Sequence, residues 1–211
     1  MKIVFVGIGQ VGAALAGQVL RAGHEVYVAA RDPQSDSVQQ AVATYPSLQV
    51  IRPAETGSLA EVVFLATPYG ANAAALAEVG ALDGQILIDC TNPVGPNLSH
   101  GLKSETSGAE QVQSLVPQAR VVKAFTIYGF ENLLDNAYPG YGDLRPAMLL
   151  AGDDADAKTT VADLCRQLGW DPIDTGPLAM SLHLEHMTLL WIHMARVQKQ
   201  GTGFVWARLQ R

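Results

Sequence analysis

A doubly wound α/β fold, a mostly parallel sheet covered by helices on both faces, is predicted by three observations. Apolar β-rich runs recur along the chain. Helical patterns separate most of them. The first run leads directly into Gly7-Ile8-Gly9-Gln10-Val11-Gly12. Strands that are apolar without alternation are buried on both faces, as in a parallel sheet between helical layers.

The strand-like runs are Lys2–Val6, Glu25–Ala30, Leu48–Ile51, Val62–Ala66, Gln85–Asp89 and Arg120–Phe125. Helical patterns cover Val11–Ala22, which stops at Gly23, then Ser37–Thr44, Ala71–Val79 and Ala109–Leu115. The Tyr-, Pro- and Gly-rich stretch Ala137–Pro146 reads as a loop. A further β-α-β pass follows as Ala147–Ala151, Ala155–Leu168 and Trp170–Asp174, then a long helix from Ser181 to about Lys199 and a Gly-containing tail. The expected organisation is a Rossmann domain over 1–145, with a β-α-β and helical extension over 146–211 packed on it.

Composition narrows the function. The 211 residues carry 14 Lys+Arg against 20 Asp+Glu, a net charge of −6, which argues against nucleic acid or an anionic membrane surface as partner. A hydrophobic content of 48% with 16% charged residues argues for a packed core and against disorder. No apolar stretch is long enough to span a membrane. Lys2, the apolar run and Ala14-Leu15-Ala16 superficially mimic a secretion signal, but Gln10 and three glycines interrupt the run. Cys90 and Cys165 lie far apart and form no CxxC, which fits reduced thiols in a cytoplasmic protein.

The glycine loop follows a strand and opens a helix, the context that dinucleotide binding requires. Gly7 permits the tight turn, Gly9 lets a pyrophosphate approach the backbone, and Gly12 lets helix pack on strand. The helix start then offers free N–H groups to phosphate. At the end of the second strand, Ala30 stands where an NAD site places a carboxylate, and Arg31 follows, nineteen positions after Gly12. The absence of an acid removes repulsion from a 2′-phosphate, and a guanidinium can grip one. NADPH is therefore preferred over NADH, with Pro33 turning Asp32 away from the strand. The alternative is a solvated surface arginine.

Ligands of open α/β sheets lie beyond the carboxyl ends of the strands. Those ends read Ala66-Thr67-Pro68-Tyr69, Thr91-Asn92-Pro93 and Ala124-Phe125-Thr126. They suit a ribose, a carboxamide and an adjoining flat ring, although a strand-end Pro is also an ordinary turn signal.

With these motifs in place, the chain resembles the NADPH-dependent oxidoreductases of coenzyme F420 and the related NADPH-binding domain of STEAP-type ferric reductases. The resemblance rests on Gly7–Gly12, Ala30-Arg31, Thr67-Pro68, Ser107-Gly108-Ala109-Glu110, Val121–Phe125, Gly152-Asp153-Asp154, Asp174-Thr175-Gly176-Pro177-Leu178, Glu185 and Gly201-Thr202-Gly203. It implies NADP against Ile8, Gly9, Gln10, Val11, Ala30, Arg31, Thr67, Pro68, Asn92 and Ala124, and the loop and strand ends above add Gly7, Gly12, Ala66 and Pro93 to the expected cofactor site. It implies a hydride acceptor near Phe125, Thr126, Gly176, Pro177 and Leu178. The chain departs from many relatives at Leu182, where they carry Arg, and at Thr126, where they carry Asn or His.

Hydride transfer between two rings needs stacking, orientation and water exclusion, and no catalytic triad, carboxylate pair or metal. None is found at recognisable spacing, so no catalytic side chain and no metal site is expected. Reducing a carbonyl or imine would instead want a proton donor, for which Lys123 and Tyr128 are the strand-end candidates. Lys123 reads first as a surface or supporting group. His183, His186 and His193 share a helix sector of about 80°. Of these, His186 is placed at the acceptor's polar edge. The apolar stretch Leu189-Leu190-Trp191 suggests a homodimer.

The leading reading is thus an NADPH-dependent oxidoreductase passing hydride between NADP(H) and a small-molecule acceptor, either a deazaflavin (coenzyme F420) or a flavin-like ring. The alternatives are an NADPH-dependent reductase of a small imine or oxo acid, and a non-catalytic NADP(H)-binding redox module.

Overall fold

A computed structural model describes residues 1–211. In chain order the elements are β1 (Lys2–Val6), α1 (Gln10–Arg21), β2 (Glu25–Ala29), α2 (Asp36–Thr44), β3 (Gln49–Ile51), α3 (Thr56–Leu59), β4 (Val62–Leu65), α4 (Asn72–Val79), β5 (Ile86–Asp89), α5 (Gly108–Leu115), β6 (Arg120–Lys123), α6 (Phe130–Leu134), β7 (Ala147–Gly152), α7 (Ala155–Gln167), β8 (Asp171–Asp174) and α8 (Ser181–Ile192). After α8 the chain widens into a π-helical turn, His193–Val197. No helix is long and apolar enough to cross a membrane.

One sheet runs through the molecule in the order β3-β2-β1-β4-β5-β6-β7-β8. The pairs from β3 to β6 are all parallel. β7 then pairs antiparallel to β6, Lys123 opposite Ala151 and Val122 opposite Gly152, and β8 pairs parallel to β7. The doubly wound fold is as expected, and the C-terminal pass extends the same sheet.

Both faces of the central parallel strands β1, β4, β5 and β6 are buried, which explains why their sequences do not alternate. Ile3 and Phe5 pack with Leu15 and Val19 of α1, while Val4 and Val6 pack with Leu76 of α4 and Val112 of α5. Fully burying side chains of this size contributes about 1.5–3 kcal/mol each. Phe5 and Phe64 stack with ring centroids 4.6 Å apart, and Phe125 leans on Phe64 at 5.5 Å. α5 opens on a capping box in which Ser107 Oγ accepts from Glu110 N–H and Glu110 accepts from Ser107 N–H. That reciprocal pair fixes where the β5–α5 loop ends.

The reversal at β7 has a consequence for function. The ends of β7 and β8 lie beside the amino-terminal half of β6, on the side away from the carboxyl ends of β1, β4 and β5. Gly152 sits against the Val121 carbonyl and donates to Gly176 O, and Leu178 is buried with Val112, Val116 and Val121. The expectation that Gly176, Pro177 and Leu178 border the acceptor with Phe125 and Thr126 is therefore corrected. A β-α-β pattern in sequence does not reveal that the whole unit enters the sheet upside down.

Candidate functional site

The glycine loop does three different things at its three glycines. Gly7 has φ +96°, and a Cβ there would lie 2.7 Å from the Ala66 carbonyl carbon and Thr67 N. Only glycine fits where the β4–α4 loop crosses so closely. At Gly12 a Cβ would lie 2.3 Å from the Gly7 carbonyl oxygen, so this glycine closes α1 onto the turn. Around Gly9, by contrast, nothing lies within 4 Å of a built Cβ. Gly9 is also the N-cap of α1, and no side chain caps that helix. An uncapped helix start facing open space is an anion site in waiting.

Across the loop, a pocket of about 190 Å³ is walled by Gly7, Ala29, Arg31, Pro53, Thr67 and Glu78. Arg31 leaves the end of β2 with 80% of its side chain exposed. Asp32, the one acid beside it in sequence, is folded into its own turn, its Oδ1 accepting from Gln34 N–H at 2.9 Å. The guanidinium and not the carboxylate therefore faces the pocket.

Beneath the pocket runs a connected polar network. Thr67 Oγ1 donates to Asn72 Oδ1 (2.6 Å), Asn72 Nδ2 to Thr91 Oγ1 (2.8 Å), and Thr91 Oγ1 to Asp89 Oδ1 (2.7 Å). Asp89 Oδ2 meets Lys123 Nζ at 2.9 Å, and Lys123 meets Glu185 Oε1 at 3.0 Å. Glu185 also accepts from Gly108 N–H and from His100 Nε2 at 2.8 Å. Lys123 further donates to the Thr91 carbonyl. The network thus pins the loops after β4, β5 and β6 to α8 with satisfied buried polar groups. Burial alone would lower the Lys123 pKa, but Asp89 and Glu185 outweigh it and hold the ammonium above its usual range.

A second, smaller group surrounds Asn92. Its Oδ1 accepts from Thr126 Oγ1 at 2.6 Å and from Thr188 Oγ1 at 3.1 Å, while its Nδ2 has a single long contact, 3.5 Å to the Cys90 carbonyl. Asn92 is half-buried and keeps hydrogen-bonding capacity toward the cleft.

Of the residues the sequence singled out, the structure brings Gly7, Gly9, Gln10, Val11, Arg31, Ala66, Thr67 and Pro68 to the mouth of one cleft, each with accessible surface, and Asn92 beside them. Ile8 and Ala30 are buried, their side chains part of the core. Pro93 is buried against Gly108. Three further expectations are corrected. Ala124, Phe125 and Thr126 have essentially no accessible surface, at 0%, 1% and 1%. Phe125, with φ +53°, turns its ring onto Phe64, so it supports the core and not a ligand. Thr126 reaches the cleft only through Asn92.

His186 is exposed, meets Ser104 Oγ at 3.1 Å and stacks on His100 with centroids 5.2 Å apart, away from Thr126. Lys123 is no surface group, being wholly buried. Tyr128 is buried too, its hydroxyl donating to the Ala147 carbonyl at 2.7 Å and accepting from Trp206 N–H at 3.1 Å. Neither offers the cleft a proton. Sequence reasoning missed Asp89, Asn72, His100 and Thr188. A signal existed in Ile-Leu-Ile-Asp and Val-Val-Lys, where charges end apolar strands that pair side by side.

Residues 2–93 match the family model described as NADP oxidoreductase coenzyme F420-dependent. The chain is 32% identical over 189 residues to the metalloreductase STEAP3 of Rattus norvegicus, covering 89% of this chain and 36% of that protein. It spans about a third of the length of the curated relatives it matches. Among solved structures, a protein of Arthrobacter sp. FB24, provisionally called an F420-dependent NADP reductase, superposes with a TM-score of 0.87 at 29% identity, over 99% of both chains. An imine reductase of Streptomyces aurantiacus shares the fold at TM-score 0.67 and 17% identity, over 94% of this chain and 64% of that one. Over residues 2–93 the sequence, and over the whole chain the fold, are thus similar to coenzyme F420-dependent NADP oxidoreductases.

Proposed function

We propose that this chain binds NADP(H) across the carboxyl ends of β1, β2 and β4 and moves hydride between that cofactor and a deazaflavin or flavin-like ring. The observation that carries the reading is the open space at Gly9, beside an uncapped helix start, with Arg31 lining the adjoining pocket and Asp32 held in its own turn. These residues fit the dinucleotide. The N–H groups at the start of α1 would hold the pyrophosphate, Arg31 the 2′-phosphate, and Thr67, Pro68 and Asn92 the nicotinamide half. When bound, the cofactor supplies the hydride, while the chain binds, orients and keeps out water.

What the cleft does not present supports this acceptor class. Lys123 and Tyr128, the two candidates for a proton donor, are buried and engaged elsewhere. A ring-to-ring hydride transfer does not need them, whereas imine or oxo-acid reduction would. The match to a family described as coenzyme F420-dependent supports the same choice. The similarity to STEAP metalloreductases covers about a third of their length and supports a shared nucleotide-binding part, not metal reduction by this chain.

The test has two arms. Calorimetry should show NADPH bound at least about tenfold more tightly than NADH, the factor expected for one charge-assisted contact. Following NADPH absorbance against coenzyme F420, FMN and a cyclic imine should show turnover with the first or second. Turnover confined to the imine would overturn the acceptor class, and equal affinity for both dinucleotides would overturn the cofactor choice.

A further inference from the structure

The Arg31 guanidinium is already engaged. Its Nη1 lies 3.1 Å from Glu78 Oε1, a carboxylate in the last turn of α4 that reaches across the pocket shared with Gly7 and Thr67. Neighbouring charges have other partners. Asp32 is held in its own turn, and Arg52 is tied to Glu55 through both Nε and Nη2 at 3.3 Å. Glu78 is thus the anion that Arg31 meets when no phosphate is there.

We propose that Glu78 is a specificity-setting residue that acts through Arg31, its carboxylate competing with the 2′-phosphate for the guanidinium. The inference rests on the NADP(H) reading above. A 2′-phosphate entering the pocket must draw Arg31 away from Glu78, and the lost ion pair is subtracted from what the phosphate gains. An unphosphorylated ribose asks for no such exchange, and its hydroxyl can donate to the Glu78 carboxylate. Glu78 therefore opposes NADPH and does not oppose NADH, so the chain discriminates less sharply than Arg31 by itself would allow. Arg31 is 80% exposed and Glu78 39%, so the effect is modest. Exposed pairs of this kind are worth a factor of about 1.5 to 5 in an equilibrium constant, and less at high salt.

The experiment measures NADPH and NADH affinity, together with 2′,5′-ADP against 5′-AMP, for wild type, Glu78→Gln, Arg31→Ala and the double variant. Glu78→Gln should tighten NADPH and 2′,5′-ADP about threefold at low salt, with NADH and 5′-AMP unimproved. The gain should shrink with added salt and vanish in the Arg31→Ala background. A simple loss of folding would weaken every ligand together and cannot produce a selective gain. Unchanged or weaker NADPH binding, an equal gain for both dinucleotides, or a gain that survives without Arg31 would each overturn the inference. If Arg31→Ala weakens NADPH and NADH alike, it is the cofactor reading itself that fails.

Discussion

Lys123 Nζ lies 2.9 Å from Asp89 Oδ2 at the carboxyl ends of two adjacent strands, with neither side chain exposed. Glu185 shares the same ammonium, so one cation faces two carboxylates. The excess negative charge is balanced by dipoles. Gly108 N–H donates to Glu185, and His100 Nδ1 accepts from Ser104 N–H, so its Nε2 carries the hydrogen given to Glu185. Gly108 is needed at this point, because a Cβ would lie 2.7 Å from the Tyr69 ring.

Removing the cation should therefore be costly. Lys123→Met leaves two buried carboxylates without a counter-charge and is expected to destabilise the fold by about 3–5 kcal/mol, read by urea unfolding. The pH dependence has a definite sign. The folded pKa of Lys123 is raised above 10.5, so its contribution is complete below that value and is lost as pH rises through the higher folded value. Wild type should lose stability above about pH 10.5 more steeply than Lys123→Met. Parallel alkaline profiles for the two would contradict the pairing.

Gly9 and Gly12 separate binding from folding. Gly9 has φ −69° and ψ −163°, which any residue adopts, and open space around it. Gly9→Ala should cost no more than about 1 kcal/mol of stability, the difference between glycine and alanine as N-caps, because its methyl meets no neighbour. It should nonetheless weaken NADPH at least about tenfold, because the methyl stands where the pyrophosphate must approach. Gly12→Ala pushes a Cβ into the Gly7 carbonyl and should cost about 1–3 kcal/mol of stability by overpacking. Thermal unfolding and calorimetry on the two variants measure both quantities. A Gly9→Ala protein that binds normally would show that the phosphates lie elsewhere.

The readability of the sequence follows from the same physics. The parallel strands were legible to within a residue or two because burial on both faces leaves continuous apolar runs such as Lys2–Val6. The glycine loop was legible because its spacing encodes backbone geometry directly. Helix α6, Phe130–Leu134, was not, since five residues are too few to show a period. The strand direction of β7 was not either, because Ala137–Pro146 is irregular and its path has no periodic signature. The Lys123 network escaped for a third reason. Asp89 lies 34 positions away and Glu185 still further, so burial of the charge depends on pairing that only the folded sheet creates.

Tyr128 is a tether between the C-terminal tail and β7. Its hydroxyl joins the Ala147 carbonyl to Trp206 N–H, and its ring stacks on Trp170 at 5.4 Å. Burial pushes its pKa well up, the direction opposite to that of a proton donor tuned for neutral pH. Tyr128→Phe should cost about 1–3 kcal/mol through the two orphaned backbone groups and leave the rate of NADPH oxidation per folded molecule unchanged. A tenfold fall in that rate with stability intact would restore Tyr128 to the chemistry.

Cys90 and Cys165 are both free and both buried. Burial pushes both thiols up, and the Asp89 carboxylate beside Cys90 adds to the effect there. A thiolate, not a thiol, attacks an alkylating agent, and neither sulfur has access to one. At pH 8 iodoacetamide should therefore label neither cysteine in the native protein, and both in urea, where the pKa values relax toward about 8.5. Between these limits the labelling rate should follow the fraction unfolded, so the midpoint for labelling should coincide with that from circular dichroism. Rapid modification of one thiol below that midpoint, seen as a single added mass, would mean that the β5 or α7 segment opens on its own. For Cys90, which follows Asp89 directly, it would mean that the ion-pair network is looser than its distances imply.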